Sequence, residues 1–426
     1  MSSPTTLSQA ERPDVAIVGA GVIGVACALA LVRRGLSVRV FDPQEPGRGA
    51  SYGNAGHLAT EQVFPIADLS ILRQLPRMLT DPTGPLRLDW RYLPRALPWF
   101  LRLLWNLREA PYGQSIAGIR VLNEHSIASW QQLLRSIDRT DLIKADGSLL
   151  VFERPDSAKA LDALRDRFNA QQVAVECWGG KDVHAAAPGL NERIRGGLFF
   201  PETAHFIDPY RVVTALVEAA KKEGVTFERA RVVHGAVRPD TVMLRTDRGD
   251  RHAGRVLITS GAHSAPLTAA LTGKRVPLET ERGYHLMLPN EQDRLPFAVT
   301  SLERRFIMTP MVGGLRLAGT VEFAGLERPP SMVRARQLER LADGLFAQPL
   351  NTSDATEWMG FRPSLPDSLP IIDKVQDGKV LLAFGHHHLG ITQAAVTAEM
   401  IAQMASPGGP GGATLPSAAR YRFNRF

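Results

Sequence analysis

One arginine in this chain sits in a frame built to hold it still. Arg362 lies within Trp358-Met-Gly-Phe-Arg-Pro-Ser-Leu-Pro-Asp-Ser-Leu-Pro370. Proline fixes φ at several of these positions, so the arginine is placed before any ligand arrives. A planar guanidinium held in this way suits two-point capture of a carboxylate. The competing use is a salt bridge to Asp367 or to a helix end. Further on comes Leu381-Leu-Ala-Phe-Gly-His-His-His-Leu-Gly-Ile-Thr392, an apolar strand entering a small helix. Three adjacent histidines suggest a metal. Consecutive loop side chains diverge, however, and no carboxylate or cysteine stands at ligand spacing, so no metal site is assigned. The turn reads better as delivering a helix N-terminus, from Leu389 onward, to the negative end of a ligand.

A third constellation needs a defined scaffold. Asp14-Val-Ala-Ile-Val-Gly-Ala-Gly-Val-Ile-Gly24 is an apolar strand entering a turn of three glycines, followed by an alanine-rich helix. A second strand, Leu36-Ser-Val-Arg-Val-Phe41, then ends in Asp42. Gly19 permits the tight turn, Gly21 lets backbone approach a pyrophosphate, and Gly24 lets helix and strand pack closely. The helix N-terminus faces the phosphates and Asp42 accepts from the adenosine ribose. A glycine triplet alone is weak evidence; strand, triplet, helix, strand and acid in register make a dinucleotide site. The small-residue loop Gly49-Ala-Ser-Tyr-Gly-Asn-Ala-Gly-His57 follows directly. So little side chain lets backbone amides reach a flat or phosphorylated ligand.

Composition fits these readings. The chain has 426 residues, 44% hydrophobic and 22% charged, as in a globular enzyme of two or three domains. Cys27 and Cys177, the two cysteines, cannot build a disulfide framework, and a reducing compartment fits. The leader Met1–Pro13 lacks the apolar core of a secretory signal, and no window has the length of a transmembrane helix. The expected location is cytoplasmic, with peripheral contact on the inner face of the cytoplasmic membrane left open. Net charge is +7 and the pI near 9.6. The basic residues are scattered, which argues against nucleic acid and for an anionic substrate or membrane surface.

Along the chain, Gly147–Phe152, Val225–Phe227 and Arg255–Thr259 read as strands, and Ser157–Gln171 and Pro209–Gly224 as helices. Tyr284–Leu288, Arg305–Met308 and Leu315–Leu317 alternate as an antiparallel sheet of a separate domain. Residues 66–110 are helical in pattern but broken by prolines. Trp90, Trp99 and Trp105 cluster there with Arg91, Arg95, Arg102 and Arg108 interleaved. Such a stretch lies in a membrane interface, forms a lid, or turns one face to the core; Pro94 and Pro98 are expected to interrupt any long amphipathic face. Pro407–Gly412 reads as a flexible hinge. The expected fold is α/β: a Rossmann-like dinucleotide domain of residues 12–65, 196–270 and 355–405. An α+β substrate domain on an antiparallel sheet, residues 66–195 and 271–354, is inserted in it, and 406–426 form a C-terminal tail.

Taken in order, the glycine triplet, Asp42, Ala50-Ser51, Thr259-Ser-Gly261, Gly360-Phe-Arg362-Pro363, Pro366-Asp367, Pro370, Gly385-His386 and Gly390 resemble the D-amino acid oxidase superfamily of FAD enzymes. Within it the chain is similar to the branch of D-amino acid dehydrogenase small subunits and hydroxy-D-proline dehydrogenases, through Ser51-Tyr-Gly-Asn-Ala-Gly56 and the broken hydrophobic insertion that follows. The resemblance covers roughly residues 12–405 and implies the glutathione-reductase type of FAD domain. It implies FAD held along Gly19, Gly21, Val22, Ile23 and Gly24, with Asp42 and Pro43 at the ribose. Ala50, Ser51, Asn54, Ala55, Gly56 and His57 then lie on the flavin side. Val233 resembles the residue whose backbone meets the adenine, and Ser260-Gly261 the turn near the diphosphate. Gly360, Gly385, His387, Leu389, Gly390, Ile391 and Thr392 complete the flavin site, the last four aiming amides at the N1–C2=O edge, where the reduced flavin is negative. Arg362 is implied as the substrate carboxylate anchor, with Tyr284, in Arg282-Gly-Tyr284, as a second contact and Arg282 behind it.

The implied reaction is oxidation of a D-amino acid, D-proline or hydroxy-D-proline among the candidates, to the imino acid by hydride transfer to flavin N5. Electrons pass to quinone or another acceptor that is not oxygen. His57 or His387 would assist amine deprotonation or line the pocket; the bulky His386-His-His388 turn departs from the glycine-containing turns common in the family and narrows the space over the flavin. No cysteine lies near the C-terminal flavin loop, so FAD is expected to be non-covalent. The alternatives are a sarcosine- or glycine-type amine oxidase using oxygen, a NAD-dependent dehydrogenase, and a flavin subunit of a larger electron-transfer complex.

Overall fold

The computed structural model describes residues 12–68, 86–406 and 415–426. The Pro407–Gly412 hinge and much of the 66–110 stretch therefore fall outside the described residues.

The glycine turn sits where the sequence puts it, at the start of a doubly wound layer. A six-stranded sheet runs Thr226–Arg229, Val38–Asp42, Val15–Val18, Arg255–Ile258, Val380–Phe384 and Ile371–Val375. The first five are parallel and the last is antiparallel. Alternate side chains divide between two cores, as a sheet buried on both faces requires. Val15, Ile17, Val38, Val40 and Leu381 face the helices Val22–Val32, Pro209–Lys222 and Gly390–Ala405. Ala16, Val18, Val256 and Leu382 face a small antiparallel sheet, Val232–Val237, Val242–Thr246 and Gly249–Ala253. Asp208 caps Pro209–Lys222, accepting from the Tyr210 and Arg211 amides, and proline stands in the first turn, where its missing N–H costs nothing.

The second layer is a nine-stranded, mainly antiparallel sheet. Its order is Thr356–Ser364, Glu279–Leu288, Gly314–Phe323, Phe306–Met311, Ala298–Ser301, Ser148–Phe152, Gly196–Phe200 and Glu176–Gly179. Leu86–Leu88 pairs beside Gly314–Phe323. The helices Gly180–Ala186 and Val333–Ala342 cover one face through Leu286, Leu288, Leu315, Leu317 and Leu338. The other face turns to the dinucleotide layer.

Three expectations change. Gly196–Phe200 and Thr356–Ser364, assigned to the dinucleotide domain, are strands of the large sheet. The long helix Glu109–Arg135, assigned to the substrate domain, packs Ile119, Leu122, Trp130 and Leu134 into the dinucleotide core. Pro98 does not break its segment: Leu93–Asn106 is one helix with Pro94 in its first turn and Pro98 inside. Trp99 pins it, buried against Phe323 and donating its indole N–H to the Ser364 carbonyl at 3.1 Å. That anchorage outweighs the intrahelical bond a proline forfeits. The C-terminal segment is fixed as well: Tyr421 donates to the Gly118 carbonyl and Arg425 pairs with Asp367.

Candidate active site

Four of the five parallel strands of the six-stranded sheet deliver a motif residue to one edge. Val15–Val18 leads into Gly19, Val38–Asp42 ends in the acid, Arg255–Ile258 leads to Ser260-Gly261, and Val380–Phe384 leads to Gly385. The carboxyl edge of such a sheet is where ligands bind in doubly wound folds.

The glycines are needed there. Gly19 has φ +111°, and a Cβ on it would lie 2.6 Å from the Thr259 carbonyl oxygen; one on Gly24 would lie 1.9 Å from Gly19 O. Gly21 opens Val22–Val32 with no side-chain cap, and among the described residues only the first amide, Val22, is taken, by Ser51 Oγ at 3.0 Å. Ile23 packs its side chain on the core behind this turn. Asp42 Oδ2 accepts from the Ala20 amide and Oδ1 from Gln44, each at 2.8 Å. Burial raises the Asp42 pKa, against the opposing pull of those amides, His263 and Arg231. The adjoining Pro43 carbonyl accepts from Arg229. Thr259 and Ser260 hydroxyls donate back to Val18 and Gly19 carbonyls, tying the Ser260-Gly261 turn to the glycine turn. Val233 lies at the pairing break between Val232 and His234, with its side chain 57% exposed.

The loop of residues 50–56 closes the space towards the large sheet. Ala50 is exposed and Ala55 half-buried. Asn54 Oδ1 accepts from Gly56 N–H at 2.8 Å, while its carbonyl accepts from the buried Arg316. A Cβ on Gly53 would strike the Trp358 ring at 2.1 Å, as would one on Gly360 at 2.0 Å. Trp358 stacks on His285, whose Nδ1 bonds the Gly53 carbonyl at 2.8 Å. On the other side Gly390–Ala405 starts without a side-chain cap after Leu389. Thr392 Oγ1 accepts from Ala59 N–H, and the Ile391 carbonyl accepts from Trp130.

Arg362 comes from the large sheet. It pairs in register with Glu281, on the face shared by the Gly360–Gly283 and Trp358–His285 pairs. The guanidinium lies flat over Gly283, where a Cβ would sit 2.4 Å from Nη2. It is half-buried, and among the described residues its one hydrogen bond goes to the Thr320 carbonyl at 3.3 Å and it forms no ion pair. Asp367 is taken by Arg425 at 2.6 Å, which removes the salt-bridge alternative. Burial lowers the Arg362 pKa and Glu281 partly opposes this. Such a fork, short of acceptors, has the donor geometry that suits a carboxylate.

His387 joins this group and His57 does not. The three histidines diverge: His386 reaches Thr397, His388 reaches Gln62, and His387 Nε2 accepts from the Leu365 amide at 3.1 Å. His387 holds φ +53°, in the left-handed region that a β-carbon disfavours. A Cβ on Gly385 would press 2.4 Å from Leu365, so loop and clamp strand meet closely. His57 turns inward to Glu61 at 3.0 Å and pairs across a short ladder with His205.

Tyr284 and Arg282 are corrections. In a strand successive side chains alternate, and both residues fall on the helix-covered face. Tyr284 donates to Glu322 at 2.6 Å and accepts from the Ser331 amide; Arg282 donates to the Gly325 and Arg328 carbonyls. Their neighbours Glu281, Gly283 and His285 hold the site face instead. The glycine inside a strand, where nothing else explained it, was the available signal.

A model of the DAO family, described as FAD dependent oxidoreductase, matches residues 14–404. The chain belongs to the DAO family of FAD-dependent oxidoreductases. Among its relatives, a protein of Bradyrhizobium diazoefficiens named D-amino-acid oxidase is 34% identical, over 93% of this chain and 96% of that one. A D-amino acid dehydrogenase of Rhizorhabdus wittichii is 30% identical, over 92% and 95%. Glycine oxidase from Geobacillus kaustophilus shares the fold, with a TM-score of 0.75 at 22% identity over 98% of this chain and 99% of that structure. FAD fits the residues present: two uncapped helix N-termini, the glycine cradle that a Cβ would fill, and Asp42 converge on one sheet edge.

Proposed function

We propose that this DAO-family enzyme oxidises a small D-amino acid, D-proline or hydroxy-D-proline among them, to the imino acid, and passes the electrons to quinone. The observation that carries the reading is Arg362, a fixed guanidinium with a single carbonyl partner among the described residues, facing the FAD edge of the dinucleotide layer. Its part is to bind the carboxylate and so aim Cα. Bound FAD supplies the two-electron acceptor for the Cα hydride. Trp358 and His285 wall the space, and His387 narrows it, which favours small or cyclic side chains. Relatives named D-amino acid dehydrogenase and D-amino-acid oxidase support the substrate class.

The acceptor reading rests on the Leu93–Asn106 helix, which stands beside the clamp strand through Trp99. It presents Leu97, Leu101, Leu104 and Trp105 outward, with Trp90 just before it; Trp90 and Trp105 are 60% and 63% exposed. Arginines 91, 95, 102 and 108 are interleaved. Apolar side chains among cations suit an anionic membrane surface, the inner face of the cytoplasmic membrane in this reading. Among the described residues no helix is long and apolar enough to cross a membrane. The oxidase name of the most similar relative cited above favours oxygen as the second reading.

Anaerobic reduction of the holoenzyme by D-proline, other small D-amino acids, glycine, sarcosine and L-proline tests the substrate. Reduction by glycine or sarcosine in preference to every D-amino acid would overturn it. Stopped-flow reoxidation by a quinone analogue and by oxygen tests the acceptor, and faster reoxidation by oxygen at physiological concentration would make this an oxidase. Cosedimentation with anionic vesicles should occur and weaken with salt; equal behaviour with neutral vesicles would remove the docking claim.

A further inference from the structure

We propose that Glu281 is the specificity residue that pairs with the substrate's ammonium group, so that the site reads both charges of a zwitterion. The inference rests on the amino acid reading above. Glu281 and Arg362 are register partners on the edge strand Thr356–Ser364 and its neighbour Glu279–Leu288. One acid and one guanidinium therefore stand side by side on the same wall, although no direct ion pair joins them. Glu281 is buried, 6% exposed. Its Oε1 accepts from Ser364 Oγ at 2.5 Å, and Ser364 is itself fully buried.

The strained His387 completes the arrangement. Its Nε2 accepts from Leu365 N–H, so the ring proton is on Nδ1, which lies 3.9 Å from Glu281 and has no hydrogen-bond partner among the described residues. A buried carboxylate with one hydroxyl donor and a histidine just out of reach has lone pairs to spare, and such groups are ordinarily satisfied. An α-amino acid carries its two charged groups on one carbon, and Arg362 and Glu281 are the complementary pair at facing positions of adjacent strands. Burial pushes the Glu281 carboxyl up, but His387, Ser364 and Arg362 together outweigh it and keep it below the usual glutamate range. The other titratable groups around it are Glu279, which Tyr92 holds from the start of the Leu93–Asn106 segment, and His388, which burial keeps neutral. The ionised carboxylate favours the ammonium form of the bound substrate. It improves recognition and at the same time delays loss of the ammonium proton, which must leave before hydride can depart from Cα.

The test compares D-alanine with D-lactate on the FAD-loaded protein. The two ligands share a carboxylate and differ by amine against hydroxyl. Dissociation constants come from flavin absorbance changes, with the anaerobic reduction rate giving the D-alanine value. Glu281→Gln should weaken D-alanine about 10–100-fold and leave D-lactate nearly unchanged. Glu281→Asp should recover part of the amine preference. The alkaline rise in the limiting flavin reduction rate at saturating D-alanine, which reports loss of the ammonium proton in the complex, should move to lower pH in Glu281→Gln than in the wild type. FAD content and thermal unfolding of each variant separate folding from recognition. Equal weakening of D-alanine and D-lactate would reduce Glu281 to a structural role and overturn the proposal, as would an unchanged preference. Wild-type protein that prefers D-alanine to D-lactate but oxidises no amino acid would sink the oxidation reading and leave the amine reading standing.

Discussion

Gly283→Ala is the sharpest probe of the carboxylate clamp, because it displaces the clamp without removing a polar group. A Cβ built on Gly283 lies 2.4, 2.5 and 2.9 Å from Nη2, Cζ and Nε of Arg362. Restoring an ordinary contact of 3.4 Å lifts the guanidinium by about 1 Å, a misplacement that can cost on the order of 100-fold in rate. That loss corresponds to roughly 2.7 kcal/mol of transition-state stabilisation. The backbone of Gly283 is not left-handed, and the obstructing atoms are the end of a flexible side chain, so folding should hardly notice. An alanine in a strand even recovers about 0.5–1 kcal/mol of the conformational cost of glycine. The expected result is a two-decade fall in kcat/KM for the best D-amino acid, with unfolding temperature and FAD content unchanged or improved. Weaker binding of D-lactate should accompany it, since the carboxylate is what the clamp holds. A variant with full kcat/KM would refute the placement of Arg362, and a loss that tracked a falling unfolding temperature would point to general disruption.

Arg362→Ala should cost about 2–4 kcal/mol in kcat/KM with FAD retained, and Arg362→Lys should be damaging too, since an ammonium cannot reproduce the fork; steady-state kinetics with either variant checks this. The protein should lose stability as pH falls from about 6.5 towards 4. Burial lowers His285 and His386 to about 3 and His205 and His388 to about 4, so the unfolded chain binds more protons throughout that window. Each histidine then contributes up to about 1.4 kcal/mol per pH unit, and a flat unfolding temperature between pH 6.5 and 4.5 would contradict their burial. Arg425→Ala strips the partner from the largely buried Asp367 and should cost roughly 1–3 kcal/mol in denaturant unfolding. Acid precipitation should release FAD into a yellow supernatant, because Cys27 is buried inside the first helix and Cys177 lies on the far strand of the large sheet; colour retained in the pellet would mean a covalent bond.

What could be read from the sequence was what local geometry enforces. The roles of Gly19 and Gly24 follow from one turn of chain, and the carbon each would add collides with atoms a few residues or one strand away. Pro209–Lys222 was legible from its apolar face, its terminal lysines and the glycine that follows them. Non-local pairing was not. Which strands joined the large sheet depended on partners such as Leu149↔Phe199 and Glu281↔Arg362, whose separations no periodicity encodes. The two misplaced boundary strands, Gly196–Phe200 and Thr356–Ser364, are both apolar or mixed runs adjoining true dinucleotide segments. Pro98 misled for a related reason: local propensity predicted a break, and the Trp99 anchor to Ser364, far along the chain, overrode it.

The site shows the same division at the level of single side chains. Strand alternation makes facing a question of register, and one residue of shift exchanges every inward group for an outward one. Tyr284 and Glu281 sit on opposite sides for this reason alone, and the pairing of Glu279–Leu288 with Gly314–Phe323 is itself irregular between Arg282 and Tyr284. The case for Arg362 does not depend on register in the same way, because it is chemical, a guanidinium in a proline frame. Whether it was free to bind a ligand turned on Asp367, and Asp367 was claimed by Arg425, 58 residues away. A residue's type limits the chemistry it can do, whereas its partner, supplied by the fold, decides whether that chemistry is spent on structure or kept for a ligand. Arg282 and Arg362 make the point within one pair of strands. Among the described residues, the first donates to four carbonyls and stands beside Glu322, while the second has a single carbonyl and a glycine beneath it. Only the second has donors left over for a substrate.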